Sequence, residues 1–160
     1  DWSSDVCSSD LMDNHYNHFK KIDAHSHIGK FGSPFNIDFD LQRLTEQMEA
    51  YNIEKTILCP AGCHLNEELK TAYQAAPDKI IPLCWVNANE GQEAYDMLEH
   101  YLRDENFAGV KMQPLFDAFT ADSPMVDPIM ELAEAYKKPV FIHCGHPPFS
   151  LPWQDRKSVV

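Results

Sequence analysis

Asp23, His25 and His27 stand at alternate positions in the run KKIDAHSHIG. Side chains alternate across an extended strand, so this spacing predicts all three on one face, with Ile22 and Ala24 turned the other way toward covering helices. Two imidazoles at i and i+2 can converge on one cation, with nitrogen–zinc distances of about 2.0–2.1 Å. Burying them without a partner would cost roughly a few kcal/mol. For His-x-His alone, a hydrogen-bonded structural pair competes with a metal site. A third histidine, His143, ends the apolar run PVFIHCG, and GVKMQP places Lys111 and Gln113 on one face of another short run. Three imidazoles at strand ends favour the metal reading.

The elements that must position these groups are legible as alternating apolar and amphipathic runs. Strands are predicted over 20–27, 55–60, 80–87, 108–113 and 139–144, from short runs, several of them rich in Ile and Val. Helices lie between them. Leu41, Leu44, Met48 and Tyr51 make one apolar stripe. Further helices are predicted over 66–76, stopped by Pro77, over 92–105, and over 124–137. The last has Ser123 as its cap and Pro124 as its first residue, or Asp127 and Pro128 in those roles. Strands alternating with such helices imply right-handed crossovers and a parallel sheet, either doubly wound or closed as a (β/α)8 barrel. Both architectures gather chemistry at the C-terminal strand ends. Neither G-x-G-x-x-G nor G-x-x-x-x-G-K-[ST] occurs, so no nucleotide-binding loop is predicted.

DAHSHIG, AGVKMQP and PVFIHCGHPPFSLPWQ together resemble the amidohydrolase superfamily, in particular its amidohydrolase-related branch of TIM-barrel metal-dependent hydrolases. The resemblance runs from about residue 20 to 154. D-x-H-x-H is shared with PHP-type phosphoesterases and TatD-type nucleases; its combination with G-V-K and I-H-C-G is more specific. The resemblance implies an incomplete (β/α)8 TIM barrel containing about the first five strands. It implies His25, His27 and His143 as metal ligands, His143 alternatively orienting water, and Asp23 as a residue that orients a ligand imidazole. Two-metal members carboxylate a strand-four lysine, the place Lys111 holds; otherwise Lys111 is a cation of the substrate site or of the structure, or a buried lysine that snorkels to the surface. The expected cofactor is a divalent metal, zinc first, that activates water for attack on an amide, lactone or ester-like carbonyl of a small-molecule substrate. The same branch contains non-hydrolytic decarboxylases, which is the alternative activity. His64 and His146 are candidate substrate contacts in loops 61–66 and 145–153, which, with loop 30–35, hold no arginine to clamp a carboxylate. That leans toward hydrolysis.

The family also uses a histidine after strand six and an aspartate after strand eight, and a complete barrel needs about 250 residues against the 160 here. Residues 1–11 and 155–160 have no periodicity and are read as non-native or disordered ends around a partial barrel domain at 12–154. The expectation is therefore a fragment with strands one and five at open edges, self-associating and catalytically silent. A homo-oligomer of the full-length protein stays open. The net charge of −12 argues against nucleic acid or an anionic membrane as partner, and no apolar run reaches the ~20 residues of a membrane span. The odd count of five cysteines without C-x-x-C pairs is expected of reduced thiols in a cytoplasmic protein. Cys59, Cys63 and His64 are a weaker zinc alternative, because no fourth ligand has suitable spacing.

Overall fold

The computed structural model describes residues 18–32 and 36–144. Both chain ends, His15, His146, the loop 145–153 and part of the loop 30–35 lie outside them. The described strands are β1 (Lys21–Phe31), β2 (Ile37–Phe39), β3 (Ile53–Pro60), β4 (Ile80–Trp85), β5 (Gly109–Met112) and β6 (Val140–Ile142). They form one sheet in the order β2-β1-β3-β4-β5-β6. β1 and β3 to β6 are parallel, and β2 joins β1 antiparallel. The sheet curls into half of a barrel, as an incomplete (β/α)8 fold requires.

Helices α1 (Leu41–Ala50), α2 (Asn66–Ala75) and α3 (Gln92–Arg103) supply the first crossovers. After β5 come the short α4 (Pro114–Asp117) and then α5 (Asp127–Ala135). Asp40 caps α1, its Oδ1 accepting the Arg43 N–H at 2.9 Å. The helix stripes close over one face of the sheet: Leu44, Met48, Leu69, Leu98 and Ile129 pack with Ile28, Leu58, Cys84, Val110 and Met112. Removing this apolar surface from water is the main favourable term in the fold.

Four expectations need correction. First, β2 is absent from the sequence reading, and it makes β1 an inner strand over Gly29–Phe31. Three residues carry too little periodicity to announce themselves. Second, of the two starts offered for the last helix the earlier one fails and the later one is right to within a residue: the helix begins at Asp127, with Pro128 next, after a 3-10 turn at Pro124–Val126, and Ser123 makes no side-chain cap. Pro128 has no N–H to donate to the carbonyl four residues earlier, so a regular helix cannot run through it from Pro124. Third, α4 was not expected. Fourth, β1 does not alternate simply. Its register against β3 slips between Asp23, opposite Thr56, and Ser26, opposite Leu58, so three steps on β1 match two on β3. Such a bulge re-aims side chains. Ile22 is not against the helices but 63% exposed.

Two glycines are required by geometry. Gly29 holds φ +110, where an L side chain is strained, and its Cβ would meet Leu65 Cδ1 at 3.1 Å. It closes the histidine run. At Gly109 a Cβ would lie 2.6 Å from the Pro139 carbonyl oxygen and 2.9 Å from Leu83 Cδ2. The contact is with backbone, so β5 and β6 must part if it is filled. Gly109→Ala is expected to cost about 1–3 kcal/mol by overpacking and to lower Tm by roughly 3–10 °C. Gly32→Ala, with nothing within 4 Å, is the control and should melt with the wild type. Equal melting of the two variants in a thermal scan would show that β5 and β6 tolerate separation.

Candidate active site

In-register residues of parallel neighbours point to the same side of a sheet. Trp85 pairs with Lys111 and Lys111 with Phe141, so these three make a row across the face opposite the helices. His27 pairs with Cys59 in the same way. This inner face, at its C-terminal end, is where the predicted residues meet. The rings of His25 and His27 lie 4.8 Å apart between centroids. His25 Nε2 is 3.5 Å from Lys111 Nζ, and its ring is 4.8 Å from that of Phe141. Lys111 Nζ stands 4.7 Å above the Phe141 ring. The His143 charge acts on both His25 and His27, and the His143 N–H donates to Met112 O at 3.1 Å, which holds the end of β6 against β5.

Asp23 is placed differently from the ring-orienting partner expected. Its Oδ1 accepts the backbone N–H of His25 at 3.1 Å and so braces the bulge from which His25 projects. The bulge explains why no strict alternation was needed to bring the two rings together.

The electrostatics suit neutral imidazoles. Partial burial of the ring lowers the His25 pKa to about 4; the charges of Lys111, His27 and His143 act in the same direction and Asp23 against them. Burial also lowers the His27 pKa, again reinforced by Lys111 and His143 and opposed by a hydrogen bond to Pro60. That bond joins His27 Nδ1 to the Pro60 carbonyl oxygen at 3.1 Å. A carbonyl only accepts, so Nδ1 carries the proton and the Nε2 lone pair is left for another partner. Lys111 is fully buried, and burial pulls its pKa below the ordinary lysine value, with the Cys59 and Cys144 thiols opposing. Among the described residues no carboxylate pairs with it.

For a divalent cation the donor set fits in type, protonation and face: two neutral imidazoles, one with its tautomer fixed by a carbonyl as metal-binding histidines usually are. It is not a finished cage. Among the described residues no three His, Cys, Asp or Glu side chains are arranged to hold a metal ion. The alternative trio of Cys59, Cys63 and His64 is no better arranged to hold one, and Cys63 Sγ instead donates to Glu90 Oε1 at 3.7 Å.

Two supports were missed in the sequence. Asn66, 2% exposed, donates to the Trp85 carbonyl at 2.8 Å and accepts the Trp85 N–H at 2.9 Å, pinning α2 to the end of β4. Trp85 Nε1 in turn donates to Asp117 Oδ2 at 2.8 Å, and burial raises the Asp117 pKa to about 6. The sequence offers Asn66 only as the junction of loop 61–66 with a helix and gives no sign of Asp117, because their partners lie 19 and 32 residues away.

The imidazoles and the buried lysine lie at the C-terminal ends of parallel strands, where barrels of this kind gather their functional residues. The sequence model of the amidohydrolase family, described as Amidohydrolase, matches residues 22–157, and the chain belongs to that family. No curated protein matches it. Among solved structures it is similar to the 5-carboxyvanillate decarboxylase of Novosphingobium aromaticivorans with bound manganese, at 17% identity and a TM-score of 0.68, over 79% of this chain and 51% of that one. It is similar to a 2,6-dihydroxybenzoate decarboxylase from Rhizobium, at 18% identity and a TM-score of 0.64, over 86% and 53%. A third is the probable 2-pyrone-4,6-dicarboxylic acid hydrolase of Acinetobacter baumannii with citric acid bound, at 16% and 0.60, over 78% and 49%. The chain thus spans about half the length of these structures. At such identities the likeness is one of fold.

Proposed function

We propose that this chain contributes the first half of a metal-dependent hydrolase barrel, centred on a domain at 12–154, that acts on an amide, lactone or ester-like bond of a small molecule. The observation that carries the reading is the pair of adjoining imidazoles beside a buried lysine that pairs with no carboxylate among the described residues at the strand ends. His25 and His27 would hold a divalent cation, and His143, just past β6, would have to shift toward them to serve as the third ligand. Bound there, the cation would supply Lewis acidity toward a carbonyl oxygen and a water of lowered pKa. Pro60 holds His27 in the tautomer that offers Nε2, and Asp23 fixes the backbone from which His25 projects. Lys111 faces negative charge on the substrate. Imidazole donors suit zinc, which is the metal proposed, although a structural neighbour holds manganese. The free cysteines among the described residues fit a reducing cytoplasm, and no helix among those residues is long and apolar enough to cross a membrane. The charge of −12 favours neither nucleic acid nor an anionic surface.

One observation favours decarboxylation as the second reading. The loops carry no arginine, but Lys111 on the inner face is a cation able to meet a carboxylate, and two of the similar structures are decarboxylases. Metal analysis of the full-length protein, followed by turnover of an acid and ester panel in H2¹⁸O, separates the two. The expected result is about one divalent ion per chain and ¹⁸O in the product. Carbon dioxide release without label would move the assignment to the decarboxylase; neither metal nor turnover would end both.

A further inference from the structure

His27 is held on two sides. Its Nδ1 meets the Pro60 carbonyl oxygen at 3.1 Å, and beside it stands Trp85, whose ring lies 6.3 Å from the imidazole between centroids at an angle of 54°. Aromatic rings at that separation pack against each other. Trp85 is 2% exposed, so it backs the imidazole and does not itself reach solvent.

The indole is fixed by more than packing. Asn66 takes both polar groups of the Trp85 backbone, and Asp117 Oδ2 accepts the ring N–H at 2.8 Å. A buried indole N–H needs an acceptor, and a backbone carbonyl would serve. Here the acceptor is a half-buried acid. Burial pushes its pKa up to about 6, the Glu90 charge acting in the same direction and the Trp85 bond against them, so the carboxylate stays ionised against a desolvation cost.

The carboxylate is also aimed by its own chain. α4 ends at Asp117, and Ala118 turns the chain away at φ +56, a conformation that residues other than glycine seldom adopt. The Asn89 side chain, in the 3-10 turn Ala88–Glu90 that follows β4, donates to the Asp117 carbonyl oxygen. Asp117 is thus tied to the end of β4 through its backbone and its side chain. The chain leaving β5 reaches back over β4 to hold a ring that stands beside a β1 histidine.

We propose that Asp117 is a positioning residue: by holding the Trp85 indole it confines the His27 imidazole to the orientation in which Pro60 fixes its proton and Nε2 stays free to donate. This rests on the reading of His27 as a metal ligand. Asp117 acts through Trp85, so its effect requires that ring.

The probe is zinc alone, titrated against a chelating competitor into the full-length protein. Asp117→Leu should weaken zinc by about 10–100-fold, the range for groups that orient a ligand. Asp117→Asn keeps an oxygen for the indole N–H and should bind zinc like the wild type. Asp117→Leu added to Trp85→Phe should weaken zinc no further than Trp85→Phe alone. Asp117→Ala takes the place of Asp117→Leu if the latter does not fold. Wild-type affinity in Asp117→Leu, whatever its Tm, would show a purely structural contact and overturn the proposal. So would a loss in Asp117→Asn as large as in Asp117→Leu, or losses from Asp117 and Trp85 that add. A second readout needs no metal: the ring N–H resonance of His27, assigned by its disappearance in His27→Ala. It should be visible in the wild type and Asp117→Asn and lost to solvent exchange in Asp117→Leu. That pattern in a protein that binds no zinc would sustain this inference and defeat the metal-dependent reading; an N–H signal unchanged in Asp117→Leu would overturn the inference alone.

Discussion

His25→Ala and His27→Ala should each abolish tight zinc binding and turnover together in the full-length protein. Each removes one of few nitrogen donors, and a catalytic site that keeps an open position has no spare ligand. The two rings lie 4.8 Å apart and are held neutral, so neither needs to lose a proton before it can donate a lone pair. Loss of one ligand is expected to weaken the metal by several orders of magnitude, beyond the roughly 10–100-fold typical of an outer supporting group. Asp23→Asn is the graded comparison. It keeps an oxygen that can accept the His25 N–H and should fall within that smaller range. Metal content by mass spectrometry and turnover on one preparation give the readout. Stoichiometric metal in the His25→Ala, His27→Ala double variant would remove the site from this face of the barrel.

Lys111→Met should melt higher than the wild type and be close to inactive. Lys111 is fully buried, has no carboxylate partner among the described residues, and sits 3.5 Å from an imidazole. A desolvated cation without a counter-charge is a liability in a fold, and an apolar residue of similar volume relieves it. The expected gain is on the order of 1–3 kcal/mol. The sign with pH follows from the lowered pKa. The unfolded chain binds this proton more tightly than the folded one, so wild-type stability rises as pH climbs toward the ordinary lysine value of 10.5. The advantage of Lys111→Met should therefore shrink in alkaline buffer. Activity should drop about 10²–10³-fold, the usual cost of deleting one fixed electrostatic group at a reacting centre. A variant that is less stable near neutral pH would mean that Lys111 is held by a partner and serves the fold instead.

The order of strands and helices was legible because periodicity is a local property. Apolar stripes at spacings of three and four in 41–50 and 92–103, and the Ile- and Val-rich runs ending at Pro60, Trp85 and Ile142, each declare an element without reference to the rest of the chain. Alternation of the two kinds then leaves few topologies open, since parallel crossovers keep one hand. The histidines were legible by type and spacing, and the motifs around them carried the family. What the sequence could not decide depends on registers and contacts between distant segments. The bulge in β1 exists because β1 must match β3, and it takes Asp23 to the His25 backbone while bringing the two rings together. β2 is a strand because β1 offers it an edge. Gln113 reads as an ordinary polar residue at a strand end; only packing shows that its oxygen is buried and unpaired. Trp85 likewise reads as core, yet it faces inward because β4 pairs in register with β5, and Asn66 at the start of α2 and Asp117 at the end of α4 reach it only once the chain has folded. Residue type and spacing set which chemistry this chain could perform; the register of one strand against the next decided which groups share a face, because a shift of one residue turns a side chain to the opposite side of the sheet.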